Sequence, residues 1–193
     1  PNVDNVGEQH KIIYNHKLKL NDREVTALII EYKTGKRESI FFVYDDMLVI
    51  VICDLDVWTA EWFSSLSARW KIFVPGNHEL SFGVGQAEEI TRHMNEKGII
   101  VLENAVEECD GVVIASISGN ATIVDEEIPD DIDILVTHDP PYGILDEDMG
   151  SLNLLNFILK AKPRYHLFGH IHSTAGQSQM FGSTECLNIA ATV

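Results

Sequence analysis

Three turns in this chain carry side chains that can bind a metal ion. Asn77 and His78 lie in the first, His138 in the second, and His170 and His172 in the third. Because open α/β sheets place their ligand sites at the carboxyl ends of strands, we predict that the three turns contribute to one site. Each turn follows closely on a short apolar run that is typical of a buried strand: 71–74, 132–136 and 165–168.

The ligand types in these turns point to a transition metal. A fourth strand end contributes Asp54, whose carboxylate is a candidate metal bridge. Asn77 offers a carbonyl oxygen, and His138 and His170 offer neutral imidazoles. His172 would face the same side as His170 if the backbone between them stays extended, because side chains in a strand repeat every two residues. This mixture of oxygen and nitrogen ligands suits Mn, Fe, Zn or Ni better than Ca, with one or two ions per chain.

Each of these residues also has a simpler interpretation. Asp54 and Asn77 taken singly fit ordinary turn residues, and His138 taken singly fits a loop histidine. A lone His-x-His pair is weak evidence for a metal. The hypothesis therefore depends on the coincidence that four separate strand ends carry ligand types in one chain. The other histidines lie outside such turns and are interpreted as structural: His10, His16, His93 and His166.

His78 is the candidate catalytic residue. It lies beside Asn77, is not needed as a ligand, and would face the substrate, where it could protonate a leaving oxygen. Two ions bridged by one carboxylate, about 3.5 to 4 Å apart, would clamp a phosphoryl group and generate a hydroxide at neutral pH. These residues together favour metal-dependent hydrolysis of a phosphoester.

Composition narrows the class of protein. The chain has 193 residues, of which 45% are hydrophobic, so we predict a single domain over residues 1–193. Its net charge of −16 argues against a nucleic-acid or membrane partner and favours a small substrate. Three cysteines without metal-ligand spacing favour a reduced, cytoplasmic protein. No apolar run approaches the roughly 18 to 20 residues of a membrane span, and residues 1–9 are predicted to be a flexible lead-in.

The remaining pattern predicts an α/β fold. Residues 10–46 are expected to form a meander of strands, and Met47 to Cys53 a strand buried on both faces. Helical spacing begins near Thr59, and two further helices are predicted over Gln86 to Lys97 and Ser151 to Lys160. Strand-like runs elsewhere complete one or two mixed sheets, ending in a hairpin. These runs are 99–102, 111–117, 132–136, 165–168, 177–180 and 185–190.

The chain resembles the calcineurin-like metallophosphoesterases, and is similar to their small metallophosphoesterase-domain branch. The resemblance is carried by Asp54, Gly76 to Glu79, His138 and Gly169 to His172, in the family's order, within about Met47 to Ala190. It implies a four-layer sandwich of two mixed β-sheets flanked by helices, a dinuclear metal centre, and hydrolysis of phosphomonoesters or phosphodiesters. It assigns Asp54 to the bridge, Asn77, His138 and His170 to the second metal, and His172 to the first.

The sequence departs from the family's pattern at the first metal. The family has an Asp-x-His pair there, whereas the matching position reads Glu31-Tyr32-Lys33. Glu31 could still bind a metal, but Lys33 cannot, because an ammonium group has no lone pair. Asp56 could substitute as a ligand, or Lys33 could itself hold a phosphate oxygen. Loss of one ion predicts weakened catalysis.

Three functions remain compatible with the sequence. The first is hydrolysis of a small or cyclic phosphodiester. The second is a metal-impaired relative that acts as a protein-binding module, which the change at Lys33 favours and His78 argues against. The third, a zinc amidohydrolase, also uses a His-x-His pair, but on the first strand of a much longer barrel. An exposed strand of the amino-terminal meander could also mediate a homodimer.

Overall fold

The fold is taken from a computed structural model. It divides into two compact units, Pro1–Leu102 and Glu103–Val193. The single domain predicted from length therefore stays a prediction. The structure describes residues 10–20, 23–32, 37–43, 48–53, 61, 63–65, 68–75, 84–117, 129 and 131–190. The predicted lead-in, residues 1–9, lies outside this part of the chain.

The first unit contains a mixed sheet in which six strands are described. They lie side by side in chain order, β1 to β6. From β1 to β4 each strand is antiparallel to the one before it, which confirms the predicted meander, while β4, β5 and β6 are parallel to one another. The strands are β1 His10–Leu20, β2 Arg23–Tyr32, β3 Arg37–Val43, β4 Leu48–Cys53, β5 Trp70–Pro75 and β6 Ile100–Val101.

One long helix follows β5 in this unit, and its end is set by a glycine. Helix α1 spans Val84–Glu96. Gly98 has φ +73°, its N–H donates to the Asn95 carbonyl, and the Ile99 N–H donates to the Met94 carbonyl. This pair of bonds is a Schellman motif, which requires a left-handed residue and so favours glycine. The predicted closure of the helix by Gly98 is confirmed.

The second unit contains a second mixed sheet, also with six described strands. Their order is β11-β12-β10-β9-β8-β7, and the four central strands are parallel while each outer strand is antiparallel to its neighbour. The closing hairpin predicted from the sequence is β11 and β12. The strands are β7 Ala105–Cys109, β8 Val112–Ser116, β9 Ile134–Val136, β10 Tyr165–Phe168, β11 Ser178–Phe181 and β12 Thr184–Asn188.

Strand β7 is absent from the sequence-based prediction. It pairs with β8 through a two-residue turn, because Cys109 lies opposite Val112. Asp110 and Gly111 in the turn have φ +50° and +79°, the left-handed values that a tight hairpin needs. The Asp-Gly pair was therefore a readable hairpin signal, but the exposed residues of β7 gave no apolar run to accompany it.

Helix α2, Leu152–Ala161, covers one face of this second sheet. The Ser151 hydroxyl accepts a hydrogen bond from the Leu154 N–H, which confirms the predicted cap. The helix ends at Lys162, just before Pro163. Its apolar side packs on the sheet in a cluster that joins Leu135 to Phe157 and Ile158. The three residues of β9 are fully buried, as expected for a central parallel strand.

The α/β class with two mixed sheets is confirmed. None of the helices in the described part of the chain has the length and apolarity needed to cross a bilayer. For function, the important feature is that β9 and β10 are adjacent and parallel, since their carboxyl ends then meet at one edge of the sheet.

Candidate metal centre

Two predicted ligands meet at the carboxyl ends of β9 and β10. Backbone bonds extend the ladder past both strands, since the Thr137 N–H donates to the Leu167 carbonyl and the Gly169 N–H donates to the His138 carbonyl. His138 and His170 thus emerge side by side. Their rings are half-buried and lie nearly edge to face, with centroids 5.0 Å apart. The prediction that these two turns converge is confirmed.

The spacing of the two rings fits a shared metal ion. His138 Nε2 and His170 Nδ1 are 3.1 Å apart. Metal–nitrogen bonds of about 2.1 Å place two ligand nitrogens about 3.0 Å apart at a right angle and about 3.4 Å apart at a tetrahedral angle. The same separation suits an N–H···N hydrogen bond in which one ring donates to the other. The separation of the two nitrogens therefore matches that of two ligands of one ion.

Asp139 joins the two histidines, and the sequence analysis did not select it. Ligand atoms of His138, Asp139 and His170 all lie within 4.8 Å of one another. Consecutive residues of an extended chain point to opposite faces, so an extended strand end would not bring both His138 and Asp139 to one site. The chain leaves the extended conformation here, because the Thr137 hydroxyl donates to the Asp139 carbonyl at 2.6 Å. Two imidazoles and one carboxylate form a donor set that suits Fe, Mn or Zn.

The backbone at His170 is a strained turn rather than the extended segment that the sequence suggested. His170 has φ +66°, and the Ile171 N–H donates to the Gly169 carbonyl across it. This is a γ-turn with a left-handed central residue, a conformation that costs a non-glycine residue about 1 to 3 kcal/mol. The condition for His170 and His172 to face the same side is therefore not met. His172 begins a 3₁₀ turn, His172–Thr174, and is exposed.

The segment after the γ-turn is held by Asn188 at the end of β12. Its side-chain amide donates to the Ile171 carbonyl and to the Thr174 hydroxyl, both at 2.7 Å, and its carbonyl oxygen accepts from the Ala190 N–H at 2.8 Å. Asn188 is buried, and all of these bonds are short. The fully bonded amide secures the chain on the carboxyl side of His170 and so stabilises the turn.

A loop between β9 and α2 encloses the same 3₁₀ turn. Within the loop, the buried Asp146 carboxylate accepts from the Gly143 and Gly150 N–H groups, at 2.8 and 3.1 Å. The Leu145 carbonyl accepts from the Thr174 hydroxyl at 2.8 Å. These bonds connect the loop that follows Asp139 to the segment that follows His170. The two ligand-bearing turns are therefore linked beyond the sheet as well as within it.

Of the remaining predicted site residues, the structure describes only Glu31. Asp54, Asp56, Asn77, His78 and Lys33 lie outside the described residues, so their assignments stay predictions. Glu31 lies in β2, where the backbone register pairs it with Lys11 of β1 and Arg37 of β3. Strands β2 and β3, which are consecutive in the chain, pair antiparallel.

Three known proteins are similar to parts of this chain. Two UPF0046 proteins of Caenorhabditis elegans are 30% identical over 151 residues and 31% identical over 162 residues. These matches cover 63% and 65% of this chain and 52% and 57% of the relatives. The human metallophosphoesterase domain-containing protein 1 is 45% identical over 56 residues, 25% of this chain and 17% of that protein. The chain thus spans little more than half the length of the two worm relatives.

A family model gives the broader assignment. The model for calcineurin-like phosphoesterases matches residues 42–174, more than two thirds of the chain. The match includes His138, Asp139 and His170, whereas Glu31 and Lys33 precede it. Its members are metal-dependent phosphoesterases, which agrees with the donor set found here. The chain therefore belongs to the calcineurin-like phosphoesterase family.

Proposed function

We propose that this protein hydrolyses a small phosphodiester, linear or cyclic, with the help of divalent metal ions. The observation that carries the proposal is the 3.1 Å approach of His138 Nε2 to His170 Nδ1 in a member of a phosphoesterase family. Membership of that family supports hydrolysis in general. The choice of a small diester draws on the net charge of −16, which disfavours a polyanionic substrate such as nucleic acid.

The chain's own residues have separate roles in this proposal. His138 and His170 would hold an ion, with Asp139 beside them. A divalent ion in this position supplies a Lewis acid for a phosphoryl oxygen and lowers the pKa of water that it binds. The γ-turn and the bonds from Asn188 hold the backbone around His170. A site organised in advance spends less binding energy on ordering its groups.

The remaining assignments extend the site by the family's pattern. Asp54 is proposed as the bridging ligand, Asn77 as a further ligand of the His138 ion, and His172 as a ligand of a second ion. His78 is proposed to protonate the leaving oxygen. His172 would need a change at the 3₁₀ turn to act as a partner of His170, because the two are separated by the γ-turn.

The number of ions governs the expected rate. Without an Asp-x-His pair, a first ion would depend on Glu31 or Asp56, and Glu31 lies between basic residues of the neighbouring strands. Loss of one preorganised electrophile typically costs roughly 10²- to 10³-fold in rate. We therefore propose slow turnover, with Mn²⁺ as the first metal to test.

Compartment and assembly are part of the same proposal. Cys109 and Cys186 are buried free thiols, and burial together with neighbouring acidic side chains raises the pKa of each to about 12. Free, buried thiols at these two positions support the proposal of a cytoplasmic protein. A homodimer formed through the amino-terminal strands is proposed as well, because edge strands pair readily.

A second function has one observation in its favour. The family match begins at residue 42, after the Glu31-Tyr32-Lys33 segment that replaces the first metal motif. A member of the family that lost its first metal site could serve as a protein-binding module. The amidohydrolase hypothesis is dropped, because the chain belongs to a different family.

The test measures metal content and turnover on the same samples. Elemental mass spectrometry is applied to chelator-treated protein before and after loading with Mn²⁺ and desalting, and hydrolysis of bis(p-nitrophenyl) phosphate is followed with each sample. His138→Ala removes a ligand. Thr184→Val is the matched control, since it removes a buried hydroxyl at the other end of the sheet.

Two ions and metal-dependent turnover that His138→Ala abolishes are the expected result for a complete site. One ion with slow turnover is expected if only the His138 and His170 site forms. Absence of bound metal, or turnover that survives His138→Ala, contradicts the proposal and leaves the binding module as the better hypothesis.

A further inference from the structure

A buried histidine that the proposed chemistry does not use lies directly behind the metal centre. His166 is in the middle of β10 and is fully buried. Its Nε2 atom is 2.8 Å from the hydroxyl of Thr137, the residue that follows β9 and precedes His138. Thr137 is also buried. The sequence pattern indicated a structural role for His166, and in the fold this residue contacts the turn that bears His138.

The direction of each proton in this network follows from the acceptors present. The Thr137 hydroxyl has one proton, and it lies 2.6 Å from the Asp139 carbonyl, which can only accept. The hydroxyl therefore donates to Asp139. Its contact with His166 must then be one in which His166 Nε2–H donates to the hydroxyl oxygen. The result is a directed chain from His166 through Thr137 to the main chain of Asp139.

The surroundings of the ring preserve this arrangement. His166 Nδ1 has no hydrogen-bond partner among the described residues, and the Phe168 ring lies 5.1 Å away, centroid to centroid. Burial lowers the pKa of His166 to about 3, so the ring is neutral near pH 7. With its single proton on Nε2, the neutral ring donates from that atom and keeps Nδ1 as an acceptor.

This chain of hydrogen bonds ends at the turn that bears the proposed ligands His138 and Asp139. The His138 main chain is bound on one side through its carbonyl to the Gly169 N–H, at 3.0 Å. On the other side, Thr137 draws in the Asp139 carbonyl and bends the backbone around His138. Without this bend, consecutive side chains would point apart. The bend therefore brings the Asp139 carboxylate to the same place as the His138 ring.

We propose that His166 and Thr137 are positioning residues that fix the turn in which His138 and Asp139 approach His170. This inference rests on the proposed metal site but not on the substrate. A merely structural role would make the pair matter for stability alone. A positioning role makes it matter for metal affinity, including in variants that fold normally.

The test compares metal affinity with stability in matched variants. Thr137→Val removes the hydroxyl with little change in shape, and Thr137→Ser keeps it. His166→Leu removes the donor, and His166→Gln keeps an amide donor at a similar reach. Thr184→Val is the control, because the Thr184 hydroxyl is equally buried and also donates to a carbonyl, that of Pro163, at 2.6 Å.

Dissociation constants for Zn²⁺ and Mn²⁺ are measured by competition with a chromophoric chelator, and thermal unfolding of each metal-free variant is measured alongside. Thr137→Val and His166→Leu are expected to weaken metal binding about 10- to 100-fold, the usual effect of removing an outer-shell partner. The two conservative variants are expected to restore binding. Thr184→Val is expected to lower stability while leaving metal affinity within twofold of the original protein.

The double variant sharpens the result. If the two residues act through one chain of bonds, Thr137→Val combined with His166→Leu should weaken binding no more than the stronger single variant does. Metal affinity unchanged in Thr137→Val, or lowered equally in Thr184→Val, overturns the inference and leaves the metal site standing. If neither the original protein nor His138→Ala binds metal, the proposed function and this inference both fail.

Discussion

Acid should destabilise the second unit through His166, and a variant that cannot titrate isolates the effect. Burial lowers the pKa of this histidine from 6.5 to about 3 in the folded protein. The unfolded chain therefore takes up a proton as the pH falls below about 6.5, while the folded chain resists protonation until about pH 3. Stability is unaffected above pH 6.5 and is lost progressively between these two values.

The size of the effect follows from the two pKa values. Below pH 6.5 the free energy of unfolding falls by about 1.4 kcal/mol for each pH unit. Between pH 7.5 and 5.5 the loss from His166 is then about 1.4 kcal/mol. Measurements at lower pH approach the isoelectric point of about 4.7, where solubility falls. The interval from pH 7.5 to 5.5 is therefore the useful one.

The assay must report on the second unit. All three tryptophans, Trp58, Trp62 and Trp70, belong to the first unit, so tryptophan fluorescence would follow the wrong part of the chain. Urea unfolding of metal-free protein is followed instead by the amide NMR signals of β9, Ile134–Val136.

The original protein and His166→Gln are compared at both pH values. The original protein should lose about 1.4 kcal/mol more than the variant between them, since only its side chain at 166 titrates. Thr184→Val serves as a control that is less stable but has the original pH dependence. Equal losses in the original protein and His166→Gln would refute the reasoning, because they would mean that His166 is not held neutral by burial.

Three further perturbations test other parts of the fold. Gly150→Ala would place a Cβ 2.5 Å from the Tyr142 Cα, so the free energy of unfolding measured in urea should fall by about 3 kcal/mol or more. Gly98→Ala is the comparison, because nothing lies within 4 Å of the added Cβ there and the expected loss is about 1 kcal/mol. Equal losses in the two variants would contradict the reasoning. Asn188→Leu removes both N–H donors that hold the segment after His170, so the amides of that segment should exchange faster with solvent in a hydrogen-exchange experiment. Unchanged protection of these amides would argue that the Asn188 bonds do not hold the segment. Lys33→His should raise the metal content from one ion to two if the first site is otherwise formed, as elemental mass spectrometry can show, and no gain would discount that site.

Local signals in the sequence were sufficient for most elements. Helix α2 was predicted from Ser151 and Pro163, which act on the turns next to them, and the end of α1 was predicted from Gly98. The hairpin at Asp110 and Gly111 was missed although its signal is equally local. The hairpin was missed because β7 is largely exposed and its residues lack the apolar run on which strand prediction depends.

The candidate metal centre likewise has features that were predictable from the sequence and features that depend on the tertiary structure. The sequence by itself determined which strand ends carry candidate ligands, because His138 and His170 each follow an apolar run within a few residues. Only the tertiary structure decided that their rings lie 3.1 Å apart, since that distance depends on the parallel register of β9 and β10 across a separation of 32 residues. It also decided that Asp139 joins them through the bend at Thr137, and that the chain turns sharply at His170. Residue type is encoded locally, whereas convergence depends on strand pairing and on bonds between distant residues.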